Sequence, residues 1–340
     1  MSSIAKKIFL VIIFLSVSLS YYFYQAFFSS NINHDIEKAT FVIQTGSNFK
    51  TVRDNLLKDK VINEVITFSF VAKVMKYQEN VKPGRYEITH DMTNVDLVRM
   101  LRNGAQQPIN ITFNNKRKKE DLAIQVSQKL ECNPKELIKL LNDDEYLKEL
   151  GFNSSTIASI FIPNTYQFYW NTSAKDLMTR MKKEYDKFWN DERKNKAASL
   201  NLTPIEVSTL ASIVEEEQKR LTKERPTIAG VYLNRLRIGQ ALQADPTIKF
   251  ALNDFTIKRV TDLSVDSPYN TYKYAGLPPG PICIPSINAI DAVLNAETHE
   301  YFFFCARPDG SGYHDFSKTF SGHRQKAIKY RREQTRNGNI

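Results

Sequence analysis

The 340-residue sequence contains little cysteine, glycine or proline. Its three cysteines, Cys132, Cys283 and Cys305, are too few and too widely spaced for a disulfide scaffold or a zinc site. We expect no cofactor. The 12 glycines and 13 prolines form no low-complexity tract, and internal repeats are absent. A content of 42% hydrophobic and 25% charged residues is typical of a folded globular protein, and the length indicates about two domains.

Long runs of like charge are nearly absent as well. The formal net charge is +10, but basic and acidic residues are interspersed, and the basic run from Lys116 to Lys119 is typical of a solvated loop. A basic surface suits nucleic acid, an anionic membrane or an anionic polymer such as cell-wall material. Charge alone does not distinguish these partners.

One long apolar run is present, from Ile8 to Phe28, and its length of about 20 residues suffices to cross a bilayer as a helix. Lys6 and Lys7 precede it and should remain in the cytoplasm. A signal peptide is the alternative, but the run is longer than a usual h-region and residues 18–22 form a poor cleavage site. We therefore predict a single-pass protein of the inner (cytoplasmic) membrane whose remainder is extracytoplasmic or periplasmic, which excludes nucleic acid as a partner. The predicted segments are a cytoplasmic tail at 1–7 and a transmembrane helix at 8–28.

The exported part is predicted to have an α+β fold. After a linker at 29–39, a small module at 40–104 has strands at 40–44 and 85–88 and helices at 49–57, 61–76 and 94–101. A connecting region at 105–190 follows, in which the aromatic stretch 161–170 is expected to pack in a core. The remaining predicted domain spans 191–335.

A well-marked helix start lies within this last domain. Thr203 suits the N-cap, Pro204 the first helical position and Glu206 a capping box. On a helical wheel a core-facing stripe follows, formed by Val207, Leu210, Ala211, Val214 and Gln218.

Three consecutive glutamates end this helix. Glu216 points away from the stripe, whereas Glu215 and Glu217 lie on its two borders and can be half-buried. Partial burial raises the pKa of a carboxyl group, so that it can donate a proton near neutral pH. The alternative is a charged, solvated helix end that continues into Lys219 and Arg220.

The next 70 or so residues are rich in turns and in polar side chains that suit saccharide hydroxyl and N-acetyl groups. Asp245 precedes Pro246, and we favour a structural role for it as the cap of a turn or helix. The candidate substrate-binding residues are Glu217, Asn234, Gln243, Asp245, Tyr269, Asn270, Thr271 and Tyr272.

Several long motifs in order make the chain resemble the endolytic murein transglycosylases of the YceG-like family over nearly the whole exported part. They are Leu-Ala-Ser-Ile-Val-Glu at 210–215, Val-Tyr-Leu-Asn-Arg-Leu at 231–236, Leu-Gln-Ala-Asp-Pro-Thr at 242–247, Tyr-Asn-Thr-Tyr at 269–272 and Gly-Leu-Pro-Pro-Gly-Pro-Ile at 276–282. The resemblance implies a LysM-like subdomain at 40–104, a catalytic transglycosylase domain at 191–335 and Glu215 as the catalytic residue. A strand at 301–306 and the segment His-Asp-Phe at 314–316 resemble the family's closing elements, so neither His314 nor His323 is predicted to be a metal ligand.

The activity that the resemblance implies is cleavage of the bond between N-acetylmuramic acid and N-acetylglucosamine in nascent peptidoglycan, with 1,6-anhydromuramoyl ends as product. Glu215 would act first as acid and then as base. The expected partners are peptidoglycan glycan strands and the peptidoglycan synthases (penicillin-binding proteins). Asn164 stands where the family usually has an aspartate, which weakens any site prediction in the connecting region.

Two other functions remain open from the residues alone. A lysozyme-like muramidase would use Asp245 as a second carboxylate and release hydrated ends. A non-catalytic peptidoglycan-binding scaffold would need neither glutamate.

Overall fold

A computed structural model describes residues 3–257 and 263–336, and it is a mixed α+β structure that is mostly helical. The six strands of the described residues are β1 (Lys38–Ile43), β2 (Gly84–Thr89), β3 (Ile109–Thr112), β4 (Thr165–Phe168), β5 (Phe303–Ala306) and β6 (His314–Ser317). They form three two-stranded sheets, β1 with β2, β3 with β4 and β5 with β6. The small sheets and the many helices agree with the predicted α+β class.

The helices fall into two groups along the chain. The first group is α1 (Ser3–Phe28), α2 (Phe49–Lys58), α3 (Val65–Val74) and α4 (Asn94–Asn103). The second group is α5 (Lys119–Ser127), α6 (Pro134–Leu140), α7 (Asp144–Glu149), α8 (Ala174–Phe188), α9 (Asp191–Ser199), α10 (Pro204–Glu217), α11 (Arg225–Arg237), α12 (Asp245–Ala251), α13 (Ile287–Leu294) and α14 (Phe320–Arg336).

The chain divides into two compact units. Unit 1 comprises residues 1–111, 128–132 and 167–173, and unit 2 comprises 112–127, 133–166 and 174–340. The residues of the predicted connecting region, 105–190, are divided between the two units.

Unit 1 is built on the antiparallel pair β1–β2, in which Lys38 pairs with Thr89 and Ile43 with Gly84. Alternate residues of the two strands face a core that includes Phe41, Tyr86 and Ile88, against which α2, α3 and α4 pack. The helix predicted at 61–76 is shorter in the structure because the Glu64 carboxylate caps α3 by accepting hydrogen bonds from the backbone N–H groups of Ile66 and Thr67.

Helix α1 belongs to unit 1. Among residues 3–257 and 263–336 it is the helix that by itself is long and apolar enough to cross a membrane, and such a helix serves either as an anchor or as a signal sequence. Its final turns pack on the unit 1 core, where Ala26 is fully buried and the Asn94 side chain donates a hydrogen bond to the Ala26 carbonyl over 3.0 Å.

Unit 2 is organised around α10. This helix is buried along most of its length and packs against α11, α12 and α13. Part of the aromatic stretch 161–170 packs as expected, with the Phe161 and Tyr166 ring centroids 5.3 and 5.9 Å from that of Phe113, whereas Tyr169 is 55% exposed. The packing of α10 fixes the direction of each side chain in its last turn.

Candidate active site

Helix α10 begins where the sequence predicts. The Thr203 hydroxyl accepts a hydrogen bond from the Glu206 N–H at 3.2 Å, and the Glu206 carboxylate accepts one from the Thr203 N–H at 2.7 Å. The predicted core-facing stripe, from Val207 to Gln218, is buried. With both the start and the rotation of the helix confirmed, three different environments surround the three glutamates at its end.

Glu215 is buried, with 7% of its surface exposed. Its Oε2 accepts a hydrogen bond from the backbone N–H of Ser286, the N-cap of α13, at 2.6 Å, and its Oε1 lies 3.5 Å from Arg225 Nη2. Arg225 also donates to the side-chain oxygens of Ser286 and Asn288, each at 3.0 Å. Glu215 therefore joins α10 to α13 through a buried network.

Glu216 points in another direction and forms two ion pairs. Its Oε2 lies 2.6 Å from Arg117 Nη2 and 3.0 Å from Lys219 Nζ. Both cationic side chains reach solvent, and the Arg117 guanidinium also lies over the Phe255 ring at 4.5 Å. The Glu216 side chain itself is only 8% exposed, so it has a structural role as the buried partner of two cations that reach solvent.

Glu217 is half-buried in the wall of a cavity of about 590 Å³. The Tyr232 hydroxyl donates a hydrogen bond to Glu217 Oε1 at 2.7 Å. The cavity is lined by Glu217, Tyr232, Arg235, Gln240, Leu242, Gln243, Asp245, Tyr272, Phe303, Phe304, Phe320 and His323. An acidic residue in a cleft with polar and aromatic walls is suited to holding and protonating a sugar oxygen.

Burial raises the pKa of Glu217 to about 7. The Tyr232 hydrogen bond opposes this increase because it stabilises the carboxylate, and the positive charges of Lys249 and Arg235 oppose it too. The negative charge of Asp245 raises the pKa further. The balance leaves Glu217 able to be either protonated or ionised near neutral pH, as a general acid that later becomes a base requires.

Asp245 faces the same cavity from the start of α12. The Tyr272 hydroxyl donates a hydrogen bond to Asp245 Oδ1 at 2.6 Å, and burial together with this bond raises the pKa of Tyr272 above its ordinary value. The expectation that Asp245 caps a helix is wrong, because Ala244 is the N-cap of α12 and no side chain caps that position. The Asp245 carboxylate is instead directed towards Tyr272 and the cavity.

Four of the predicted binding residues, Glu217, Gln243, Asp245 and Tyr272, line the cavity together. Gln243 is exposed and adopts a left-handed backbone conformation, with φ of 52°. Its backbone N–H donates to the Thr271 carbonyl at 3.0 Å, so the strained turn is held in place and the side chain is presented to solvent.

The other four predicted binding residues lie outside the lining of this cavity. The Asn270 side chain donates to the Leu263 and Val265 carbonyls, and Thr271 Oγ1 accepts from the Ala244 N–H at 3.0 Å. The remaining two pack elsewhere: Asn234 donates to the His299 and Tyr301 carbonyls, and the Tyr269 ring lies 4.7 Å from the Phe250 ring. Asn270 and Thr271 thus hold the loop that carries Tyr272.

Several lining residues are not among the predicted candidates. Arg235 is held by its own hydrogen bonds to the Phe302 and Leu242 carbonyls, at 2.7 and 2.6 Å, and lies over the Phe303 ring. Tyr232 and Arg235 are within the quoted motif at 231–236, so a signal for them was present. His323 comes from α14, and burial lowers its pKa; no sequence pattern connects it to Glu217.

Within the described residues no group of three or more His, Cys, Asp or Glu side chains is placed to hold a metal ion. The expectation that the site works without a metal or cofactor stays a prediction.

The fold and the cavity define a class of protein: a mostly helical α+β protein with an acidic side chain of raised pKa in a polar and aromatic cleft. The profile of the YceG-like family matches residues 41–329, and the chain therefore belongs to that family. The chain is 28% identical over 308 residues to the endolytic murein transglycosylase of Bacillus subtilis (strain 168), covering 85% of this chain and 83% of that one.

Two further similarities extend the comparison. The endolytic murein transglycosylase of Streptococcus pneumoniae serotype 2 is 27% identical over 333 residues, which cover 88% of this chain and 60% of that protein. A crystal structure of a YceG-like protein from Listeria monocytogenes superposes with a TM-score of 0.56 at 29% identity, covering 85% of this chain and 98% of that one.

Proposed function

We propose that this protein is a membrane-anchored endolytic lytic transglycosylase that cleaves peptidoglycan strands between N-acetylmuramic acid and N-acetylglucosamine. The observation that carries the proposal is the position of Glu217, which faces a 590 Å³ cavity and has a pKa raised to about 7. Membership of the YceG-like family and similarity to relatives named endolytic murein transglycosylase support the same substrate class.

Glu217 takes the acid–base role in this proposal, in place of the predicted Glu215. Both are border residues of α10, but their surroundings differ. The Glu215 carboxylate is engaged by the Ser286 N–H and by Arg225, and it does not line the cavity. A proton donor needs both access to substrate and a pKa near the working pH, and these two properties coincide at Glu217.

The proposed reaction uses one carboxyl group twice. Protonated Glu217 donates its proton to the bridging oxygen as the glycosidic bond breaks. The resulting carboxylate then accepts the proton of the muramoyl C6 hydroxyl, whose oxygen attacks C1 of the same sugar and closes the 1,6-anhydro ring. The proton count balances, and no water is consumed. Because the attacking hydroxyl is held in the same sugar as C1, it has the high effective concentration of an intramolecular nucleophile.

The neighbouring residues support this cycle in distinct ways. Tyr232 donates to Glu217 Oε1, so Oε2 is the oxygen that carries the exchangeable proton. Gln243 can hydrogen-bond the sugar substituents. The Asp245 carboxylate can stabilise the positive charge that develops at C1.

A muramidase is the second candidate, because Asp245 faces the same cavity as Glu217. In that reaction Asp245 would activate a water or attack C1, and the product would carry a reducing end. The two products differ in mass by one water.

The deciding experiment is mass spectrometry of purified glycan strands digested by the full chain in detergent, with Glu217→Gln and Glu215→Gln variants alongside. Anhydromuramoyl products that disappear in Glu217→Gln support the proposal. Hydrated products indicate the muramidase. Loss of activity in a folded Glu215→Gln variant, with activity retained in Glu217→Gln, overturns the assignment of the acid.

The proposed location is the inner membrane, with residues 1–7 in the cytoplasm and the catalytic part outside. An anchor is favoured over a cleaved signal sequence because the cleavage site at 18–22 is poor and because the final turns of α1 belong to the folded unit, with Ala26 buried in the unit 1 core and its carbonyl accepting a hydrogen bond from the Asn94 amide. An anchored enzyme would act on nascent strands beside the penicillin-binding proteins, which we propose as partners.

A further inference from the structure

Helix α3 in unit 1 has two apolar faces. One face, formed by Phe68, Val71 and Ala72, is buried in the unit 1 core. The other carries Ile66, Phe70 and Val74 at intervals of four residues, which places them in one row along the helix. Ile66 is 66% exposed and Val74 is 56% exposed. A helix in water normally turns a polar face to the solvent, so this second row calls for a partner.

The row lies beside the final turns of α1. The ring of Phe70, at its centre, lies 5.7 Å from the Phe23 ring and 6.0 Å from the Phe27 ring, both in edge-to-face geometry. Phe23 and Phe27 are one turn apart on one face of α1. Phe23 lies about 7.5 Å before the end of the helix at a rise of 1.5 Å per residue. Phe70 is therefore level with a part of α1 that would be within the membrane.

The tyrosines of α1 indicate the same depth in the membrane. Tyr21, Tyr22 and Tyr24 surround Phe23 and have exposed fractions of 65%, 39% and 58%. Tyrosine is enriched where the hydrocarbon core meets the head groups, because its ring is apolar and its hydroxyl group is polar. The position of Phe70 against Phe23 thus places α3 at the boundary of the bilayer.

We infer that α3 is an interfacial helix whose row Ile66–Phe70–Val74 is immersed in the outer leaflet of the membrane, next to α1. The inference rests on the proposed function of α1 as a membrane anchor, because the row lies directly beside the final turns of that helix. The partner of this row is the boundary between the acyl chains and the head groups of the lipid bilayer.

The polar groups of α3 are compatible with that position. The Ser69 hydroxyl donates to the Val65 carbonyl at 2.7 Å, so it presents no unsatisfied donor to lipid. Lys73 is exposed, and its long side chain can extend from the row to the phosphate groups. Glu64 is the N-cap residue at the opposite end of the helix, where its carboxylate accepts hydrogen bonds from backbone N–H groups.

The consequence is a second membrane contact for unit 1. A single spanning helix leaves a domain free to rotate about the helix axis, whereas an immersed α3 fixes which side of unit 1 faces the bilayer. The Asn94–Ala26 hydrogen bond couples α1 to the same core and makes the two contacts act together.

The test is depth-dependent fluorescence quenching of the full chain reconstituted in phosphatidylethanolamine–phosphatidylglycerol vesicles. The chain has only two tryptophans, so an added one gives a readable signal after subtraction of the parent. The variants are Ile66→Trp and Val74→Trp, and the matched control is Leu57→Trp, which replaces a 47% exposed leucine on α2 of the same unit. Lipids brominated near the glycerol end of the acyl chain serve as the quencher.

We expect the added tryptophans at 66 and 74 to be quenched at least twofold more than that at 57. Equal quenching at the three positions overturns the inference. Phe14→Trp, in the middle of α1, tests the anchor separately with lipids brominated near the methyl end of the acyl chain, which reach the centre of the bilayer. Strong quenching at 14 with none at 66 or 74 rejects the interfacial helix alone, whereas no quenching at 14 rejects the anchor on which it rests.

Discussion

Tyr232 of α11 donates its phenolic proton to Oε1 of Glu217, the last residue of α10, over 2.7 Å. Burial raises the pKa of Tyr232 well above its ordinary value, so the phenol remains a donor over the whole working pH range. The bond both orients the Glu217 carboxyl group and stabilises its ionised form. Its removal should therefore change a pH profile as well as a rate.

For Tyr232→Phe we expect the pKa of Glu217 to rise, because a hydrogen bond that favours the carboxylate is lost. The high-pH limb of kcat/KM, which reports deprotonation of the acid, should move from near pH 7 to higher pH. The rate at the optimum should fall by about tenfold as the carboxyl group loses its orientation. A pH–rate series on purified strands measures both effects, and an unmoved limb would contradict the proposed role of Glu217.

The glutamates at the end of α10 show how far the sequence alone could lead. The capping box at Thr203 and the period of the apolar residues predict the start and rotation of the helix, and they reduce three glutamates to Glu215 and Glu217. The choice between these two depends on Ser286 and Tyr232, which are 71 and 15 residues away. No local pattern carries that information, because it depends on how α11 and α13 pack against α10.

The same dependence on tertiary packing explains why only some of the predicted binding residues line the cleft. The polar segment from Gln243 to Tyr272 predicts a cleft, and the cleft is present. Whether a side chain faces the cleft or supports it is decided by hydrogen bonds such as the one that the Ala244 backbone N–H donates to Thr271 Oγ1, and amino-acid composition does not reveal these. His323 was not predicted because α14 is far from the motifs in the chain.

Removal of the Glu215 carboxylate should lower the free energy of unfolding more than removal of the Glu216 carboxylate. For Glu215→Ala we expect a loss of about 3 kcal/mol in the free energy of unfolding, because Arg225 would remain buried without its carboxylate. For Glu216→Ala the loss should be at most about 1 kcal/mol, since Arg117 and Lys219 reach solvent. Urea unfolding of the two variants at neutral pH tests this, and equal losses would show that the buried network contributes little.

The raised pKa of Glu217 predicts a dependence of stability on pH. A carboxyl group whose pKa is about 7 in the folded state and 4.5 in the unfolded state stabilises the fold fully below pH 4.5. That contribution is lost as the pH rises towards 7, because ionisation is easier in the unfolded chain. After allowance for partial exposure of the site, we expect a loss on the order of 2 kcal/mol.

The matched variant is Glu217→Gln, which has no ionisable group at this position. The difference in free energy of unfolding between Glu217→Gln and the parent should change between pH 4.5 and 7 and be constant above that interval. Thermal or urea unfolding at a series of pH values gives the difference directly. A flat difference across this interval would mean that the Glu217 pKa is not raised.

Two charges on α12 act on Glu217 in opposite directions, and this gives a paired test. Asp245 raises the pKa of Glu217, whereas Lys249, one helical turn later, lowers it. Asp245→Asn should therefore move the high-pH limb of kcat/KM to lower pH, and Lys249→Gln should move it to higher pH. Opposite shifts identify Glu217 as the titrating acid, whereas shifts of one sign, or none, would assign the limb to another group.

The Asp245→Asn variant also distinguishes a transglycosylase from a muramidase. In a transglycosylase the C6 hydroxyl is the nucleophile, so Asp245→Asn should retain anhydromuramoyl products with a rate lowered by about 10- to 100-fold through lost stabilisation of charge at C1. In a muramidase the same change removes the group that activates water or attacks C1, and turnover should fall by about 1,000-fold or more. Because Asn keeps the size of Asp, product mass and turnover measured on one variant decide whether Asp245 assists the reaction or takes part in the chemistry.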